Sequence, residues 1–162
     1  MPFIDGSCGV SVNMTKAGLN LLSGLAFVAH NAVWVGIPQE SSAREGPVTN
    51  AQLLYIHENG SPVHNIPPRP VMQIGLSKPE NASRIREYLN EGIKMALLGN
   101  TSGAENAYHK AGMIGENAVK SVFGSGELAA DAPATVARKG SSAPLIDTGS
   151  LRSAITHVIR KR

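Results

Sequence analysis

The side chains best suited to chemistry sit in one short stretch: His57, Glu58 and His64. Two imidazoles and a carboxylate are nitrogen and oxygen ligands of the kind that hold zinc, and a bound zinc activates water for hydrolysis. The spacing is not His-Glu-x-x-His, in which one helix face presents both imidazoles. Gly60 and Pro62 interrupt the run, and no fourth ligand is evident. The other histidines, His30, His109 and His157, are scattered. Gly124-Ser-Gly-Glu127 lacks the lysine of a phosphate-binding loop, and there is no Gly-x-Ser-x-Gly elbow. A Ser-His-Asp arrangement needs no local spacing and stays open. The sequence therefore assigns no catalytic residue, no metal ligand and no cofactor. A small metal-dependent hydrolase using His57, Glu58 and His64 is the enzymatic alternative.

The stretch that holds these residues has a second feature. Pro67, Pro68 and Pro70 surround Arg69. Proline fixes φ and biases the residue before it towards extended backbone, so Arg69 is confined in its main chain while its side chain is free to point. Its planar fork suits a carboxylate, through two parallel hydrogen bonds. Glu58 is one candidate, across the loop or between subunits. A solvated arginine in a proline-rich turn is the other reading.

A short helix ending at Glu58 and Gly60, then Ile66-Pro67 and Arg69-Pro70, makes one motif. A second runs from Ala143 to Ile155, with Pro144-Leu145, Thr148-Gly149 and Leu151 at its fixed points. In this order, with two helix-like segments between, the pair resembles the virion-morphogenesis proteins of tailed phages. These are tail-completion or neck components, typified by those of phage Mu and the minor tail proteins of lambda-like phages. The resemblance implies an α+β subunit: a small antiparallel sheet packed against two to three helices, with extended loop arms. It also implies a homo-oligomeric ring, a hexamer, around the channel that DNA crosses, joining head to tail without a cofactor. Partners would be neighbouring connector, neck and tail proteins and the passing genome, contacted without sequence preference. The site would be the virion, assembled in the host cytoplasm, with no membrane involved. Candidate subunit-interface residues are Glu58, Gly60, Ile66, Pro67, Pro68, Arg69, Pro70, Asp147, Thr148, Gly149, Leu151 and Arg152. Arg160, Lys161 and Arg162 are candidates for facing the DNA channel.

Composition is consistent with one domain over 1–162, since 162 residues with 42% apolar content can bury a core. Aromatics are only 4%, and 17 glycines with 10 prolines predict short elements joined by substantial loops. A net charge of +3 is too mild to define a nucleic-acid binder. The lone Cys8 excludes an internal disulfide and fits a reducing compartment. The N-terminus lacks the basic and apolar regions of a cleavable signal peptide. The segment from Leu19 to Val35 is too polar to span a bilayer.

The elements that must position these residues follow from periodicity. Ser7 to Val12 reads as a short strand and Asn13 as a cap. A first helix carries Gly18, Leu21, Leu22, Leu25, Val28, Ala29 and Ala32 as its apolar stripe. Val33 to Ile37 reads as a strand, and Gln39 to Val48 as a loop forming a hairpin arm. Asn50 would cap a helix over 51–59. A helix from Pro79 buries Ile85, Tyr88, Leu89, Ile93, Ala96 and Leu97. Another, over 104–123, presents a small-residue stripe from Ala107 to Val122. Gly124 to Gly149 reads as a long structureless arm. Asp147 to Gly149 would turn into a terminal strand that closes the sheet.

Overall fold

The computed structural model describes residues 14–161. The expected strand at Ser7 to Val12 and the cap at Asn13 lie outside the described residues. The fold is α+β, with seven α-helices and one two-stranded antiparallel sheet among the described residues.

Helix α5 (Thr101–Val122) is the axis of the molecule. The side-chain oxygen of Asn100 accepts from the Gly103 amide at 2.9 Å, satisfying one of the free amides of the first turn. The stripe read from the sequence is buried at Ala107, Ala111, Gly115, Ala118, Val119 and Val122 and half-buried at Ile114. Small side chains let backbones come close. A Cβ on Gly75 would lie 2.8 Å from the Ala118 carbonyl oxygen. Helix α4 (Pro79–Leu97) packs along α5, and α3 (Val71–Ser77) and both strands touch it as well. The main apolar cluster gathers at the C-terminal end of α5, where Val71, Val119, Val122, Phe123, Leu128, Leu151 and Ile155 meet.

The sheet closes the chain. Strand β1 (Asn31–Gly36) pairs with β2 (Thr156–Lys161), with Val33 opposite Ile159 and Val35 opposite His157. The terminal strand thus forms as expected, after a short helix α7 (Ser150–Ala154) that begins at Gly149. The segment after β1 is not a hairpin arm. It makes a 3-10 turn over Gln39–Ser41 and folds back on α2 (Asn50–Asn59), where the Ser42 carbonyl accepts from the Asn50 amide at 2.9 Å. Thr49, not Asn50, is the cap of α2, in a reciprocal capping box with Gln52. Asn50 donates instead to the Ala43 carbonyl and the Ser150 hydroxyl, tying α2 to α7.

Two expectations fail in instructive ways. Helix α1 (Lys16–His30) exists, capped by Thr15, but its leucines point outward. Leu19, Leu21, Leu22 and Leu25 are each about half exposed, and Ala32 belongs to β1. The helix instead sets Gly24 against the α4 backbone at Ala96 and stacks Phe27 beside Tyr108 at 5.5 Å between ring centroids. The 124–149 segment, expected as a free arm, holds helix α6 (Pro133–Lys139). Leu128 is buried in the core, and Leu145 and Ile146 pack against it. Buried ion pairs, described next, fasten it.

Candidate functional site

Helix α2 ends at Asn59, and Gly60 takes the left-handed φ of +74° that lets the chain reverse. Ser61 and Ile66 then exchange backbone hydrogen bonds at 2.9 Å around a 3-10 turn, Pro62–His64. The chain returns along the end of α2, where the Arg69 amide donates to the His57 carbonyl at 2.6 Å. That carbonyl belongs to the last turn of the helix and has no partner within it. The proline run therefore presses the loop back on its own helix.

The Arg69 side chain is buried, only 5% exposed. Its Nε donates to the Ala129 carbonyl at 2.7 Å and Nη2 to the Ala130 carbonyl at 2.9 Å. Nη2 also pairs with Asp131 Oδ1 at 3.0 Å. The other carboxylate oxygen of Asp131 takes Lys139 Nζ at 2.6 Å, and Lys139 donates in turn to the Ala143 carbonyl at 2.8 Å. One arginine, one aspartate and one lysine thus clamp the proline loop to the segment expected to be a free arm. Buried charges persist only when their hydrogen bonds are nearly complete. Here one carboxylate and three carbonyls absorb two cations.

Glu58 is not the partner of Arg69, and Arg69 is not a solvated arginine. The Glu58 carboxylate accepts from the amides of Met72 at 3.1 Å and Gln73 at 3.0 Å. Pro70, at the cap position of α3, offers no side-chain acceptor, so Glu58 caps that helix from outside. Geometry decides between the two acids: Asp131 approaches the fork, while Glu58 meets a helix start with free amides.

The three side chains of the hydrolase alternative diverge. Glu58 is occupied as a cap, and the His64 ring bonds the Ser61 hydroxyl on the exposed turn. His57 faces a cleft of about 230 Å³. Burial lowers its pKa, the neighbouring Arg69 charge lowers it further, and Asp131 opposes both. Among the described residues, no three histidine, cysteine, aspartate or glutamate side chains are gathered to hold a metal ion.

That cleft brings in the second motif. Asp147, Thr148, Gly149 and Leu151 line it together with His57 and Asp131. Leu151 is buried, while Arg152 reaches from α7 to the Lys120 carbonyl at 3.1 Å. Of the interface candidates, Pro67 and Pro68 are exposed and Ile66 and Pro70 half-buried. The basic terminus is less free than its sequence implies. Arg160 pairs with both oxygens of Glu40, at 3.1 and 3.2 Å. Lys161 is exposed at the end of β2, opposite Asn31, and Arg162 lies outside the described residues. Sequence reasoning missed Asp131 and Lys139. The available signal was that Asp131 is the sole acid between Leu128 and Ile146. No helix among the described residues is long and apolar enough to cross a membrane.

No protein-family model, curated protein or solved structure matches this chain.

Proposed function

We propose that this chain is a structural subunit of a tailed-phage virion, one that completes the tail or neck and joins head to tail as part of a closed ring. One observation carries the reading. The two motifs that resemble the family, separated by more than seventy residues in sequence, are joined by one buried clamp: Arg69 of the first pairs with Asp131, Asp131 holds Lys139, and Lys139 donates to the carbonyl of Ala143, where the second begins. Helix α1 supports the same reading, because a neighbour in a ring would cover its outward leucines. Head-to-tail contacts close into rings when the rotation permits, and a hexamer is the number the resemblance implies. The chemistry is assembly rather than turnover. DNA passing through would be read in no sequence-specific way, since specificity needs base-edge contacts.

The test is a stop codon placed in the gene within the phage that encodes it, examined by electron microscopy of the lysate. The reading predicts filled heads and separate tails, rescued by the wild-type chain supplied in trans. Infectious, fully joined particles without the protein would refute it.

A further inference from the structure

Away from the clamp, a second polar cluster joins α5 to the terminal strand. His109, Gly112, Glu116 and Lys120 follow at three- and four-residue steps, so they share one face of α5. Across them lies His157 of β2. The His157 Nδ1 bonds Glu116 Oε2 at 2.8 Å, and its Nε2 stands 3.3 Å from His109 Nδ1. Lys120 holds the other Glu116 oxygen at 2.7 Å. The His157 ring lies over Gly112, and a Cβ there would run into carbon atoms of the imidazole. Glycine at this position is what admits the ring.

From this geometry we propose that His109 Nδ1 and His157 Nε2 form a two-imidazole site for a divalent transition metal of the zinc or nickel type, with Glu116 fixing the second ligand. The bite fits. Zinc–imidazole bonds are about 2.0–2.1 Å, so two nitrogens 3.3 Å apart subtend about 105–110° at the metal, close to the tetrahedral angle. The Glu116 contact sets the tautomer: a His157 that donates from Nδ1 presents the lone pair of Nε2. A carboxylate behind a ligating histidine is the usual arrangement that orients and strengthens it. His109 is exposed, so the remaining coordination positions open towards water or a side chain from a neighbouring molecule. Imidazole pairs suit zinc, nickel and copper rather than magnesium or calcium. A bound ion would cross-link α5 to β2, adding to the hydrogen bonds and the packing of His157 on Gly112 that join them.

The experiment is a zinc chloride titration of the full, tag-free chain, followed by calorimetry and thermal unfolding, and repeated with nickel. The expected result is one ion per chain and a higher unfolding temperature. His109→Ala changes an exposed residue and should leave the metal-free unfolding temperature in place. It should abolish both the stoichiometric binding and the metal-induced shift. Glu116→Gln should weaken binding about 10- to 100-fold, as loss of an orienting carboxylate does elsewhere. Nuclear magnetic resonance of the two imidazoles should show both rings perturbed by one equivalent of zinc in the wild type. Wild-type chain that binds no zinc at millimolar concentration, or His109→Ala that binds as well as wild type, would overturn the proposal.

Discussion

Arg69 spends its side chain inside the subunit, on Asp131 and on the carbonyls of Ala129 and Ala130. Removing it strands a buried carboxylate with one lysine and leaves two carbonyls unsatisfied. Breaking a buried pair in this way costs about 3–5 kcal/mol. Arg69→Ala should therefore unfold at markedly lower urea concentration, and any loss of joining would follow from instability as much as from a lost contact. Arg69→Lys should recover only part of the stability, because an ammonium cannot serve three acceptors in one plane. A urea midpoint for Arg69→Ala equal to that of wild type would show that the clamp adds nothing. His57, beside the clamp, gives a pH signature. Its folded pKa lies below the ordinary 6.5, chiefly through burial and then through Arg69. The unfolded chain therefore binds more protons, and stability falls as pH drops from about 6.5 through the folded value. His57→Gln removes that titration. Urea unfolding at pH 7.5 and 5.5 should show a larger acid loss in wild type than in the variant, and equal losses would contradict the assignment. The proline-framed arginine was legible in sequence as a confined backbone, but its side chain was open between a carboxylate, with Glu58 as the candidate, and solvent. Its partner was not legible, because Asp131 lies some sixty residues away and no local rule pairs them.

Among the elements, long periodic segments were legible and sheet partners were not. Helices α4 and α5 run for 19 and 22 residues; Pro79 marks the start of the first, while the second begins at Thr101, three residues before the periodicity placed it, because Asn100 caps it. Strands β1 and β2 were each readable as β-rich runs. Their pairing joins opposite ends of the chain, and a period of two residues carries no information about which partner it meets. Helix α1 deceived for a physical reason. Its leucine stripe is genuine, but Gly24 packs on α4 and Phe27 meets Tyr108 of α5, a narrower face, and the leucines remain outside. The 124–149 segment deceived through its composition, since small residues there conceal a two-turn helix and three apolar anchors. The α1 face yields a test at this scale. Leu22→Asp changes a side chain that is 52% exposed and should alter folding stability by no more than about 0.5 kcal/mol. Incorporation into particles should fall sharply, because a charge would be buried at the covering contact. Wild-type incorporation of this variant would leave the leucine face outside any interface.

At the scale of the whole molecule, the proposed role is that of a part rather than a machine. A modest core sits at one end of α5, a clamp locks the loop beside it, and an apolar helix face is left for a neighbour. Each feature suits a subunit whose final burial comes from its place in a ring, where one surface meets a different surface on the next copy. The proposed histidine site is independent of that claim, and its failure would leave the ring intact. The claim itself is tested most directly by the copy number and position of this chain in the phage particle, measured by cryo-electron microscopy of purified virions. The account predicts a closed ring of copies, six by the resemblance, at the head-proximal end of the tail, with the α1 leucines covered by the adjacent copy. A particle that contains a single copy of this chain, or none, would contradict it.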